Sequence, residues 1–348
     1  FAERRIIMEL QCGINLGGYL SQCEHKKEHY QSFIVEDDLE QIADWGFDHV
    51  RLPIDYEVLE DDAGNQLESG YGFVQQVLEW GKKYGLNVVL DLHKAYGYDF
   101  NDAGDNEKNN LFSNEVLQKR FVNLWRNIAK RYGSYPNVAF ELLNEVVEKE
   151  NAEAWNALIK KTVNAIREIT EDTPLIYGGI QWNSVKTLKL LDVPTDQNII
   201  FTFHFYEPLL FTHQKAHWVP AMDKNKTIVY PNDMNYYRTQ SEVLGYQGEV
   251  VIKSQSKTMG EEFIREMVQE AIDAANNAGV KLYCGEFGVI DQAPEIDTLR
   301  WFTDVHKVFS ENQIGSAVWT YKGMDFGLVE NHYSLIREKL ISLWTDNK

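Results

Sequence analysis

FVQQVLEWGKKYGLNVVLDLHK, residues 73–94, holds one full repeat of the pattern on which the fold rests. From Phe73 to Tyr84 apolar side chains return at helical spacing, and Gly85 stands where a helix C-cap favours the left-handed region. Asn87–Leu92 then runs apolar and β-branched, as a buried strand does, and closes on the polar pair His93 and Lys94. Further strands are expected at Cys12–Leu16, His49–Leu52, Val138–Asn144, Leu175–Gly178, Ile199–Phe205, Lys281–Glu286 and Ser316–Trp319. Amphipathic helices are expected between them at Glu36–Trp45, Glu115–Tyr132, Ala152–Ile169, Glu262–Ala278 and Glu295–Ser310, with Gly46, Gly133 and Gly279 in the same helix-stop place as Gly85.

Strands that alternate with helices pair in parallel through crossovers, which makes the class α/β. Eight such units favour a closed (β/α)8 TIM barrel, and no G-x-G-x-x-G or Walker sequence follows a strand to support an open nucleotide-binding sheet. A chain of 348 residues suits one barrel, so a single catalytic domain over 1–348 is expected. One connection is too long for a plain loop. After Tyr206 no clear helix resumes until about Glu261, and residues 207–259 include Phe211, His213, His217, Trp218, Tyr230, Tyr236, Tyr237 and Tyr246. They are expected to fold on the barrel as a subdomain inserted after strand 6 and to wall its mouth. Residues 101–110, acidic and amide-rich, read as a solvated loop.

Charge narrows the partners. With 53 acidic against 34 basic residues the net charge is −19, which repels phosphate backbones, so no nucleic acid is expected. No run of eighteen apolar residues offers a membrane span. Neutral polymers carry no such penalty, and nine Trp, eighteen Tyr and seventeen Phe supply flat faces for sugar rings. Cys12, Cys23 and Cys284 lie at no metal-ligand spacing and form no disulfide framework, so free thiols are expected. Phe1–Leu10 carries Arg4 and Arg5 without the apolar core of a signal peptide, which leaves localisation open between secretion and cytoplasm. A monomer is expected.

Polar residues that end apolar strands carry the chemistry, because in a barrel those ends form the active face. Here they are Arg51, His93, Asn144 with Glu145, His204 with Tyr206, Glu286, and Trp319. Singly, each is read more economically as an ion-pair partner or a core residue. Together they would demand several separate desolvation costs, and two glutamates across one mouth are what glycosidic bond cleavage requires. Glu286, if reached by Arg51 and the Tyr206 hydroxyl, stays ionised as a nucleophile; its charge lets Glu145 hold a proton as acid/base. Asn144 is set to bond a sugar 2-hydroxyl, His204 to orient Glu145, and Trp319 to floor a ring. Two rivals of other kinds remain: a silent carbohydrate-binding barrel, and a metal-dependent amidohydrolase, which lacks its His-x-His pair on the first strand.

The stretches GINLGGYLSQ, FDHVRLPIDY, VVLDLHKAYGYDF, AFELLNEVVE, FHFYEP, YCGEFGVI and AVWTYKGMDF resemble glycoside hydrolase family 5 in order and context over nearly the whole chain. Within it they look most like the clostridial endoglucanase C type, in which a segment like Phe211–Trp218 opens a subdomain after strand six. The resemblance implies a retaining double displacement with Glu145 as acid/base and Glu286 as nucleophile. It also implies substrate binding by Arg51, His93, Asn144, His204, Tyr206 and Trp319, with no metal and no organic cofactor. The expected activity is an endo-β-glucanase on 1,4 chains of the cellulose kind or on mixed-linkage 1,3-1,4-glucans, with β-mannanase, xylanase or xyloglucanase as the alternatives. Two departures bear on specificity: Lys94 follows His93 where relatives often carry a second histidine, and Thr320 follows Trp319 where asparagine is frequent. Trp182, at the end of strand five, is a candidate to stack a sugar past the cleavage point.

Overall fold

The structure, a computed structural model, describes residues 8–346. Residues 1–7, on which most of the leader reading rested, lie outside that range. Eight parallel strands close a barrel: β1 (Cys12–Asn15), β2 (His49–Asp55), β3 (Asn87–Lys94), β4 (Val138–Glu141), β5 (Leu175–Gly178), β6 (Ile199–Phe205), β7 (Lys281–Phe287) and β8 (Gly315–Val318). Each strand pairs with its neighbours in the chain and β8 returns to β1. Amphipathic helices, among them Glu68–Tyr84, Glu115–Tyr132, Ala152–Arg167, Glu261–Ala278 and Glu295–Glu311, pack around it.

Alternation along the strands sorts the side chains. Val89, Ala139, Ile176, Ile200, Tyr283 and Ala317 join Leu10 in an apolar floor inside the barrel. Their neighbours, such as Val88, Phe140, Leu175, Phe201 and Cys284, belong to the larger core under the helices. Two residues beyond the floor the interior turns polar, with Asp91, Glu141 and Thr202 all buried. The floor lets that polar layer stand on packed hydrocarbon, out of reach of water from below.

Several boundaries differ from expectation. The strand expected at His49–Leu52 runs on through Pro53 to Asp55, paired with β3. Arg51 is therefore mid-strand. Conversely β4 ends at Glu141, so Asn144 and Glu145 occupy the turn after it. Gly46, Gly85 and Gly279 have φ of 90°, 76° and 68°, but Gly133 has φ −62° and is no left-handed cap. Close packing explains it instead: a Cβ there would lie 2.6 Å from the Ala129 carbonyl oxygen. The β5–β6 crossover is a single 3-10 helix, Val185–Leu190.

Residues 207–259 are more helical than periodicity suggested, with Leu209–Thr212, Met234–Ser241 and Glu249–Lys253 each too short to register a repeat. A two-stranded antiparallel ribbon, Asn232–Asp233 with Thr258–Met259, closes the excursion. Phe211, Tyr230 and Tyr237 from it are buried in the main core. Cys12 and Cys284 are buried and Cys23 is half-buried. Among the described residues no helix is long and apolar enough to cross a membrane.

Candidate active site

An irregularity in β7 aims the key carboxylate. Tyr283 points to the floor and Cys284 to the outer core, so strict alternation would turn Gly285 inward and Glu286 outward. The register instead slips on both sides, Phe203↔Cys284 followed by His204↔Glu286 and Ser316↔Cys284 followed by Val318↔Phe287, as a β-bulge produces. Glu286 thereby faces inward as well. Asn15 steadies the bulge, its side-chain amide donating to the Gly285 carbonyl at 2.9 Å and to the Ala317 carbonyl at 3.1 Å.

Below Glu286 lies Arg51, fully buried, and its five N–H donors are all used. Nε and NH2 form a fork with Glu141 at 2.8 and 2.9 Å. NH2 also reaches Asn144 Oδ1 at 3.0 Å, while NH1 reaches Asn15 Oδ1 at 3.0 Å and Glu286 Oε1 at 2.7 Å. The other Glu286 oxygen accepts the Tyr206 hydroxyl at 2.9 Å. Burial alone would push the Glu286 carboxyl up, but the charges of His204, Arg51 and His93 outweigh it and bring the group down to about 2. It is an anion at any working pH. Burial likewise drives the Tyr206 phenol well above its usual value, with Glu286 adding to the effect, so Tyr206 remains a donor.

Glu145 faces Glu286 across the mouth. Its Oε1 lies 2.7 Å from His204 Nδ1, which is 3.6 Å from Glu286 Oε2. One oxygen of each glutamate and a His204 nitrogen all fall within 4.8 Å of one another. Such a set is also close enough to hold a cation. A second set of that kind, His25, Asp55 and Glu57, has the Lys94 ammonium 4.0 and 3.8 Å from its carboxylates, which already supplies them with positive charge.

The remaining expected residues gather around this pair. His93 is fixed by Asp91 at 2.6 Å and stacks on Trp319, with centroids 6.0 Å apart and planes 6° from parallel. Lys94 borders the cleft and is held by Asp99 at 2.9 Å. Trp182 borders it too, from a turn whose residues Gln181, Trp182 and Asn183 have φ of 54°, 59° and 52°. Left-handed backbone costs a residue with a side chain ~1–2 kcal/mol, and the turn is held in part because the Asn183 carbonyl accepts the His204 N–H at 3.0 Å. Thr320 does not face the cleft. It is buried, donating to the Asn15 carbonyl and accepting from the Gly17 N–H, so it ties the chain after β8 to the end of β1.

Residues overlooked in the sequence are Asp91, Glu141 and Asn15. Period two held a signal for the first, since Asp91 sits two before His93 in an otherwise apolar strand. The excursion after β6 adds His213, His217, Trp218 and Val219 to a cleft of ≈ 700 Å³. Burial lowers the His213 imidazole to about 4, so it is a neutral ring against Tyr206, Trp218 and Phe326.

A barrel whose mouth sets two opposed carboxylates among aromatic rings defines a (β/α)8 glycoside hydrolase. Comparison with known proteins makes the assignment narrower. The family model described as cellulase, glycosyl hydrolase family 5, matches residues 11–325. Endoglucanase C of Acetivibrio thermocellus is 40% identical over 98% of this chain and 100% of its own length. Cellodextrinase A of Ruminococcus flavefaciens is 39% identical over 87% of this chain and 82% of its own. A solved glycoside hydrolase structure superposes with a TM-score of 0.79 at 24% identity, covering 98% of this chain and 100% of that one. The chain belongs to glycosyl hydrolase family 5, the cellulase family.

Proposed function

We propose that the protein is a retaining endo-β-glucanase that cleaves β-1,4 linkages in cellulose-like chains and mixed-linkage β-1,3-1,4-glucans by double displacement. Glu145 is the acid/base and Glu286 the nucleophile. The observation that carries this reading is the approach of a Glu145 oxygen to within 4.8 Å of a Glu286 oxygen. Retaining glycosidases keep their carboxyl groups about 5–5.5 Å apart, whereas inverting ones leave roughly 6.5–9.5 Å for a water. The likeness to endoglucanase C supports glucan and an internal cut; the likeness to cellodextrinase A keeps short cello-oligosaccharides among the substrates.

In the first step a Glu286 oxygen attacks the anomeric carbon while Glu145 gives its proton to the leaving glycosidic oxygen, so a glycosyl ester forms as the C–O bond breaks. Glu145, now a carboxylate, takes a proton from water, and that water's oxygen displaces Glu286 from the anomeric carbon. Both steps pass through oxocarbenium-like charge, which Asn144 is placed to sense through the sugar 2-hydroxyl. His204 donates to Glu145 when it is the base and so keeps it aimed. Trp319 and His93, stacked together, offer one face to the glycone ring, and Trp182 and Lys94 bind sugars further along. Residues 207–259 act as a small subdomain that walls the cleft of a single catalytic unit, which works as a monomer.

Proton NMR of a cello-oligosaccharide digest tests the mechanism: the first-formed hemiacetal should be β, and an α product refutes double displacement. Initial rates on barley glucan, carboxymethylcellulose, glucomannan and xylan test the substrate, with the first two expected to lead. A lead by glucomannan or xylan would overturn the glucan reading.

A further inference from the structure

Glu141 has no place in the reaction just described, yet it is a carboxylate buried at 0 % exposure in the centre of the barrel. Desolvating such a group is expensive, and burial drives its carboxyl above the ordinary glutamate range. Its hydrogen bonds both go to Arg51, at 2.8 and 2.9 Å, and take the Nε–NH2 edge of the guanidinium as a fork. A guanidinium is planar with donors in fixed directions, so gripping one edge determines where the rest point. Here the remaining hydrogens fall on Glu286 Oε1, Asn15 Oδ1 and Asn144 Oδ1.

We infer that Glu141 is a positioning residue for catalysis, setting the plane of Arg51 so that one cation holds both Glu286 and Asn144 in register. The inference rests on the reading of Glu286 as nucleophile. Charge alone does not require Glu141, because Asp91 already lies 3.1 Å from Arg51 NH2. What Asp91 does not supply is the second oxygen on the same edge: it makes one contact there and commits its Oδ2 to His93 as well. Without the fork, Arg51 keeps only single contacts, to Asp91, Asn15, Asn144 and Glu286, and no two-point grip on one edge sets its plane. A tilt moves the nucleophile and the 2-hydroxyl ligand together, and a displacement near 1 Å costs on the order of 10²-fold in rate.

The test is a double-mutant cycle on kcat/KM with Glu141→Gln, Arg51→Lys and the pair, using a dinitrophenyl cellobioside whose leaving group needs no acid. Glutamine keeps the volume but sets an amide N–H against a guanidinium N–H, so Glu141→Gln should lose about 10²-fold. The loss should fall on kcat, with KM within about threefold of the parent, as for an interaction that matters in the transition state. If Glu141 acts through Arg51, the double variant should match the worse single variant to within about threefold. Additive losses, or an E141Q enzyme that keeps more than about a third of kcat/KM, overturn the inference. Should Glu141→Gln not fold by circular dichroism, Glu141→Asp takes its place in the cycle: it keeps the charge, is too short to fork, and should lose at least about tenfold, with parent-like activity counting against the inference. Trapping with a 2-fluoro cellobioside and peptide mass spectrometry separates the two claims. A label away from Glu286 sinks the nucleophile assignment; a label on Glu286 with an additive cycle sinks only the role of Glu141.

Discussion

Replacing Tyr206 with phenylalanine deletes one hydroxyl and tests the electrostatics of the nucleophile directly. The Tyr206 hydroxyl donates to Glu286 Oε2 at 2.9 Å, with Glu286 buried and Tyr206 half-buried. A hydrogen bond to a charged group contributes roughly 1.5–3 kcal/mol, and one pKa unit corresponds to about 1.4 kcal/mol, so the Glu286 carboxyl should rise by ~1–2 units. The starting point is about 2, which places the variant near ~3–4. The sign follows from the direction of the shift. A carboxyl held low is ionised above its folded value, and removing a group that favours the anion raises that value. The nucleophile is therefore lost at a higher pH than in the parent. The assay is kcat/KM for a dinitrophenyl cellobioside from pH 3 to 9, in short reactions, with tryptophan fluorescence at each pH to confirm that the protein is folded. The parent should show no acid limb from Glu286 in this range, while Tyr206→Phe should fall off below about pH 4, with its alkaline side unmoved. An unchanged acid side in a folded Tyr206→Phe protein would refute the claim that this hydroxyl helps to keep Glu286 ionised.

Glu145→Gln and Glu286→Gln should each cost about 10³-fold or more on cello-oligosaccharides, and retention of a tenth of the rate would refute either assignment. Azide should rescue the truncated forms with opposite stereochemistry, Glu286→Ala giving an α-glycosyl azide and Glu145→Ala a β one, as read by NMR. Gly285→Ala introduces a Cβ 2.9 Å from Thr202 Oγ1, 3.3 Å from His204 Nε2 and 3.5 Å from Arg51 Nε. It should lower stability by about 1–3 kcal/mol in urea melts and kcat by at least about tenfold, and a fully active variant would argue against tight packing behind the bulge. Trp218, 44% exposed at the cleft wall, should matter to long substrates: Trp218→Ala is expected to raise KM for barley glucan several-fold while leaving the aryl cellobioside within about twofold, and equal losses on both would argue against a wall role.

Much of this protein is legible without a structure because the signals are local. Ile199–Phe205 and Glu115–Tyr132 begin and end where their patterning says, since burial on one face of an element dictates a period that no distant contact must supply. His93, Asn144, Glu145, Tyr206, Glu286 and Trp319 do line one cleft, and what pointed there was their coincidence at strand ends, since any one of them alone reads as an ion-pair partner or a core residue. Legibility failed where the partner strand decides. The strand expected to end at Leu52 continues to Asp55 because β3 runs beside it, and Glu141 looks like one more acid inside a strand until Arg51 is seen in its fork.

The order of residues thus determined the alternating elements, the closed barrel they favour, and the set of side chains gathered at its C-terminal rim, because hydrophobic period and strand polarity are properties of a single stretch of chain. Which way Glu286 points was decided only in three dimensions. By alternation it belongs outside; the slipped ladders on both flanks of β7, tied by Asn15, turn it toward Arg51. Register against two neighbours is a relation among three strands more than eighty residues apart in part, and no single stretch of sequence contains it.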